Sequence, residues 1–321
     1  MRNAFASTMT KLAQEDPRIV LLSGDIGNKL FDSFKERCTG RFFNCGVAEA
    51  NMTSMAAGMA LCGMRPVTYT IASFVTVRCL EQIRIDVCYH NLPVIIVGVG
   101  AGLSYAELGA THHSCEDLAV MRALPNMTVI CPADTVEVRL ALSAAFALGK
   151  PVYIRMGKKN EPVVYREDPD FQIGRGIVVR QGKENICLIG TGNILPVVME
   201  TADLLAAHGI DTQVVSMHTV KPLDEALLAR VFSEFEIVAT VEEHSLIGGL
   251  GGSVAEWLGD RQPKPAGAEF LRFGVPDAFI HGMGRQKAAR RSVGLDGKAI
   301  ADIIREKMVA RHGEENPNRG V

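Results

Sequence analysis

Leu92-Pro93-Val94-Ile95-Ile96-Val97-Gly98-Val99-Gly100 (LPVIIVGVG) decides the fold class, because after its proline it carries only branched apolar residues and glycine. A half-buried strand alternates polar and apolar side chains. A strand without alternation has both faces covered, as inside a parallel sheet with helices on either side. Outward from it, RIVLLSG (Arg18–Gly24), RFFNCG (Arg41–Gly46), RPVTYTI (Arg65–Ile71), MTVICPAD (Met127–Asp134) and PVYIRMG (Pro151–Gly157) read as further strands bounded by turn residues. Between them lie helix candidates at Arg2–Gln14, Ala48–Leu61, Phe74–His90, Cys115–Ala123 and Thr135–Leu148. This alternation predicts a doubly wound, mostly parallel α/β domain.

Lys158–Gly176 is polar and carries two prolines, which marks it as a linker. The alternation then restarts with ICLIG (Ile186–Gly190), a helix through Leu204, TQVVSMH (Thr212–His218), a helix after Pro222, EIVATVEEH (Glu236–His244), a helix from Gly251, AEFLRFG (Ala268–Gly274) and a last helix over Gly297–Val309. The reading is a first domain over 1–160, a linker over 161–178, a smaller α/β domain over 179–312 and a flexible tail over 313–321.

Composition excludes several function classes. With 321 residues, 47% hydrophobic, 22% charged and a formal net charge of -2, the chain has material for two cores and no basic field for nucleic acid or an anionic membrane. No run approaches a membrane span and the first residues lack the apolar centre of a signal peptide, so a cytoplasmic location is expected. The 8 cysteines show no CxxC spacing and mostly sit in apolar runs, where a thiol acts as a small hydrophobe.

Three segments can carry chemistry. Gly46-Val47-Ala48-Glu49-Ala50-Asn51-Met52 places Glu49 in the first turn of a helix whose continuation is apolar on nearly every face. Alone, such a glutamate complements the helix dipole. Thr70–Arg84 puts Phe74 where a strand gives way to a helix, at the carboxyl edge where open α/β sheets bind ligands; a lone Phe there is ordinarily core. Gly109-Ala110-Thr111-His112-His113-Ser114-Cys115-Glu116-Asp117 is a polar loop with adjacent histidines. Neighbouring histidines point in different directions, so His112, His113 and Cys115 make a poor metal set.

In this order, and together with Leu124–Asp134, Pro151–Arg155, His218–Asp224 and Glu242–Gly251, these segments resemble the pyrimidine-binding and C-terminal domains of the transketolase family, including 1-deoxyxylulose-5-phosphate synthases. The resemblance covers almost the whole chain. It implies thiamine diphosphate as cofactor, with Glu49 hydrogen-bonded to N1′ of the aminopyrimidine, Phe74 stacked on that ring, and Arg78 and Asp25 as further cofactor contacts. It implies His112 as the group that binds substrate oxygens and moves protons, His113 as a second catalytic imidazole, and Arg2 and Lys158 as substrate contacts. The family's diphosphate and Mg2+ site, marked by Gly-Asp-Gly, lies in another domain. Gly24-Asp25-Ile26-Gly27-Asn28 and Gly294-Leu295-Asp296-Gly297 do not reproduce it. The expectation is a split transketolase subunit that moves a two-carbon ketol unit from a ketose to an aldehyde, completed by an N-terminal-section partner in an α2β2 assembly.

The chain departs from the family's pattern at the histidine loop. Leu108 stands where transketolases place an aspartate, with Glu107 one position early, and His113 adds a second imidazole. Two alternatives share the cofactor: the β subunit of a 2-oxoacid dehydrogenase first component, and a pyruvate-decarboxylating synthase. From other classes come a catalytically silent assembly subunit and an NAD-dependent dehydrogenase. For the last, Ile186–Asn193 supplies Gly190 and Gly192 of a fingerprint but Leu195 at its third glycine.

Overall fold

The computed structural model describes residues 1–314 apart from 28, 159, 184, 262–266 and 282–283. Of the expected tail over 313–321, residues 315–321 lie outside the described residues, and residues 313 and 314 belong to the last helix, Gly297–Glu314.

The first sheet contains β1 (Ile19–Ser23), β2 (Phe42–Asn44), β3 (Arg65–Ile71), β4 (Ile95–Val99), β5 (Thr128–Ile130) and β6 (Val152–Met156). The second contains β7 (Ile177–Arg180), β8 (Ile186–Thr191), β9 (Thr212–Ser216), β11 (Ile237–Ser245) and β12 (Glu269–Val275). One strand crosses over: β10 (Thr219–Lys221) follows β9 in the chain yet pairs antiparallel with β5. The first sheet is thus seven-stranded in the order β10-β5-β6-β4-β3-β1-β2, and the second is five-stranded in the order β12-β11-β8-β9-β7. All pairings among β1–β6 are parallel, as are those joining β8, β9, β11 and β12, and β7 runs antiparallel to β9.

The unbroken apolar strands behave as their composition requires. Ile19, Leu21, Val67, Ile95 and Val97 pack under helices Arg2–Glu15 and Thr135–Leu148. Val20, Leu22, Val94 and Ile96 point the other way, toward helix Glu49–Leu61. The second sheet repeats this, with Ile186 and Leu188 on one face and Cys187 and Ile189 on the other. Each buried side chain of this size contributes about 1.5–3 kcal/mol over its exposed state, so two double-faced sheets hold most of the fold's stability.

The expected helix over Phe74–His90 divides into Ala72–Thr76, Leu80–Gln82 and a π-helical turn Ile83–Tyr89. Three β-branched residues in succession, Val75, Thr76 and Val77, are poor helix formers, and the helix ends among them, at Thr76. The helix expected from Cys115 starts at Asp117. β7 falls at the end of the expected linker; it is only partly buried and lacks a strong pattern. Helix Glu49–Leu61 is not enclosed as its apolar composition suggests. Met52, Ala56 and Ala60 are buried, while Asn51, Ser54, Gly58 and Leu61 are exposed.

Candidate active site

Because β1, β2, β3, β4 and β6 are parallel, the loops that follow them emerge at one edge of the sheet. Those loops and the helix starts they lead into carry Asp25, Glu49, Phe74, the run Tyr105–His112 and Lys158 in turn. Glu49 opens helix Glu49–Leu61, where the N-terminal partial positive charge favours a carboxylate, and it is only 5% exposed. Phe74 lies on the short helix that begins where β3 ends. That helix sits close against β4 because residue 98 is glycine: a Cβ there would stand 2.6 Å from the Tyr153 hydroxyl and 3.0 Å from Ala72.

The side chains form a row. Arg78 Nη1 stands 3.4 Å from Glu49 Oε2, and the same guanidinium lies 3.9 Å over the Phe74 ring. The Phe74 and His112 rings meet edge to face at 5.1 Å, and Tyr105 and His112 follow at 6.0 Å. Lys158 Nζ sits 4.3 Å over the Tyr105 ring and donates to Glu107 Oε1 at 2.6 Å. A carboxylate, an aromatic face, an imidazole and a terminal ion pair thus follow one another along the edge. Burial, and then the charges of Arg78, His113 and Lys158, hold the His112 imidazole below its ordinary pKa. The ring is therefore neutral near pH 7 and can accept a proton. Its Nδ1 lies 2.9 Å from Thr111 Oγ1, which leaves Nε2 for a ligand.

The loop bearing His112 is clamped from below. Tyr153 and Arg155, both on β6, donate to Asp117 at 2.6 and 2.8 Å, and Arg155 also donates to the carbonyls of Ser114 and Glu243. Burial works against the Asp117 charge, but Arg155 more than offsets it and holds the carboxyl below its usual range. From the second domain Glu243 accepts from the Leu103 backbone at 2.5 Å and pairs with Arg290. Gly102 permits that approach, since a Cβ there would stand 2.4 Å from the Glu243 carbonyl.

The expected site residues do not all converge. Glu49, Phe74, Arg78, His112 and Lys158 share the row. Arg2 donates to the Tyr69 hydroxyl at 3.2 Å and belongs to the aromatic packing beneath it. Asp25 is exposed and accepts from Asn44 at 3.0 Å; it bears on the loop before Glu49 without joining the row. His113 is buried, with Nε2 3.4 Å from the Ala106 carbonyl, because adjacent loop side chains point opposite ways. Its ring thus meets the Ala106 carbonyl rather than the contacts among Phe74, His112 and Tyr105. Tyr105, Asp117, Arg155 and Glu243 were not singled out as site-building residues; an arginine inside the apolar run VYIRM was the available signal. The Gly190–Gly192 turn is no open dinucleotide seat. Asn193 and Leu195 are buried, and Asn193 donates to Ser104 of the first domain.

Comparison with known proteins supplies the remaining observation. The family "Transketolase, pyrimidine binding domain" matches residues 1–163, and "Transketolase, C-terminal domain" matches residues 174–300. The chain is 34% identical to the 6-deoxy-6-sulfo-D-fructose transketolase subunit SqwH of Clostridium sp., over 95% of this chain and 94% of that one. It is 35% identical to a 1-deoxy-D-xylulose-5-phosphate synthase of Syntrophus aciditrophicus, over 95% of this chain but 46% of that protein. A solved structure described as a split gene transketolase, inactive beta4 tetramer, superposes with TM-score 0.86 at 36% identity, covering 95% of this chain and 97% of that one.

Proposed function

This chain belongs to the transketolase family as a split, C-terminal-section subunit, and from that premise we propose that it transfers a two-carbon ketol unit between sugars with thiamine diphosphate. The observation that carries the reading is the row Glu49–Arg78–Phe74–His112, a buried carboxylate and an aromatic face covered by a half-exposed guanidinium, next to a neutral imidazole.

The residues suit the cofactor. A flat cation, the Arg78 guanidinium, lies against Phe74 and reaches Glu49, so the space over the ring accommodates a planar group from which the carboxylate is within reach once Arg78 gives way. When bound, thiamine diphosphate supplies the electron sink that lets a carbon–carbon bond beside a carbonyl break and re-form. Glu49 would hold a proton at the aminopyrimidine edge, and Phe74 would fix the ring plane once Arg78 swings aside. His112 Nε2 would take the proton from a substrate hydroxyl as the bond breaks and return it to the new product, a role worth about 10²–10⁴ in rate. The diphosphate and Mg2+ are assigned to a partner subunit.

A partner surface fits that division. Val47, Leu61, Val77 and Tyr89 are each more than half exposed along the Glu49 helix and around the short helices that follow Phe74, apolar side chains that a partner could cover. An N-terminal-section subunit would cover them and close the row, in an α2β2 assembly. The relative described as inactive in its beta4 form supports the need for a second subunit.

The test is reconstitution. With the N-terminal-section partner, thiamine diphosphate and Mg2+, the chain should consume a ketose and lengthen an aldehyde. Glu49→Gln should lower kcat by about 100-fold or more while leaving the complex assembled. Turnover by this chain alone, or a fully active variant, refutes the reading. A second reading, decarboxylation of pyruvate before condensation, is favoured by the synthase match; release of carbon dioxide from pyruvate, with no ketose consumed, would establish it instead.

A further inference from the structure

At the mouth of the row Lys158 and Glu107 form an internal ion pair. Lys158 Nζ has the Tyr105 ring beneath it and Glu107 Oε1 at 2.6 Å, so two of its approaches are taken. Lys158, and to a smaller extent Arg285 of the second domain, hold the Glu107 carboxyl below its ordinary range, so the group is ionised at neutral pH. Both partners remain partly exposed, and Tyr105 joins the pair directly to His112. A substrate that reaches His112 and extends along the row ends at this pair.

We propose that Glu107 sets the charge selectivity of the site, disfavouring substrates that end in a phosphate or another dianion and favouring uncharged polyols. The reasoning is electrostatic. A dianion near Lys158 meets a carboxylate at hydrogen-bonding distance from the same ammonium, and it must either displace that carboxylate or endure its repulsion. An uncharged hydroxyl has no such conflict: it can accept from the ammonium and donate to the carboxylate within the intact pair. Lys158 alone would attract anions; Lys158 with Glu107 is a neutral unit that selects hydroxyls. The substrate's identity as a sugar acceptor rests on the transferase reading, whereas the charge selectivity rests on the pair itself.

The experiment therefore has two arms. In the first, inorganic phosphate is titrated into the isolated chain and followed through the His112 ring resonances, assigned with His112→Gln. Glu107→Gln should respond at about 10-fold lower phosphate than the unmodified chain, the effect of removing one charge a few ångström from a dianion in a partly screened site. Adding Lys158→Gln should abolish the gain. In the second arm, the reconstituted complex is given D-glyceraldehyde and its 3-phosphate, and Glu107→Gln should move the ratio of kcat/KM by about 10-fold toward the phosphate. Equal phosphate responses of the two chains, or a gain that survives loss of Lys158, overturns the proposal. A complex inactive on every aldehyde overturns the transferase reading and leaves the first arm to decide this one.

Discussion

The carboxyl edge of the first sheet and the seam between the domains both hold acids beside arginines, in opposite settings. At the edge, Glu49 and Arg78 meet loosely at 3.4 Å, and the arginine side chain is 49% exposed. At the seam, Asp117 and Arg155 meet at 2.8 Å with side chains 0% and 1% exposed, and Tyr153 and two backbone carbonyls complete the contact. The difference separates two jobs. A buried pair costs desolvation and rewards only a fixed geometry, so it suits a clamp. A loose, half-open pair is easily exchanged, so it suits a seat that a ligand must enter.

The strongest way to break this comparison is to open the clamp. Arg155→Met leaves Asp117 charged and buried, and should cost about 3–5 kcal/mol of unfolding free energy in denaturant titration. Combined with Asp117→Asn, the loss should be less than additive, since both variants remove one interaction. A cost near 1 kcal/mol would place the seam in the same class as the edge. Glu49→Gln, by contrast, should cost about 100-fold in activity with little change in stability.

A third prediction uses pH at the linker. Glu137 is buried and its pKa is pushed up to about 7 by burial, against hydrogen bonds from Ser216, Tyr165 and Ala133. Its folded pKa exceeds its unfolded value, so between about pH 4.5 and 7 the folded state holds the extra proton. Stability should fall as pH rises through that window. Urea titrations at pH 5, 6 and 7 should show this slope, reduced in Glu137→Gln. An unchanged slope would assign it to other groups, of which Glu242, likewise raised to about 7 by burial, is the first candidate.

The smallest expected effect sharpens the edge. Arg78→Ala removes the guanidinium from Phe74 and frees Glu49, contacts worth under about 1 kcal/mol each at an exposed site. Thiamine diphosphate should then bind the complex about 3-fold more tightly in a calorimetric titration. Weaker binding would make Arg78 a ligand of the cofactor, the role its family resemblance implies.

Much of this was legible along the chain, and the reason is local. Short unbroken apolar runs bounded by turn residues, such as Leu92–Gly100, read as double-faced strands, and Glu49, Phe74 and His112 each follow a parallel strand of the first sheet, where the topology delivers side chains to one edge. The segment Phe74–His90 reads as one helix but divides after Thr76, because a mean apolar pattern does not reveal such a break. His113 could not be separated from His112, since sequence adjacency carries no direction.

Other features depend on residues far apart meeting. The pairing of β10 with β5 takes a segment of the second half into the first sheet, at a separation no periodicity reports. Arg155 reads as an oddity within a strand until Asp117 and the Glu243 carbonyl surround it. Glu107 reads as a displaced acid until Lys158, 51 positions later, turns it into half of an ion pair. The sequence by itself determined the two α/β layers, because hydrophobic period acts over a few residues, and its ordered motifs carried the family resemblance that pointed to Glu49, Phe74 and His112. Only the tertiary structure decided which charges are locked, which are open and which cancel, because charge interactions depend on distance and burial, and neither exists before the chain folds.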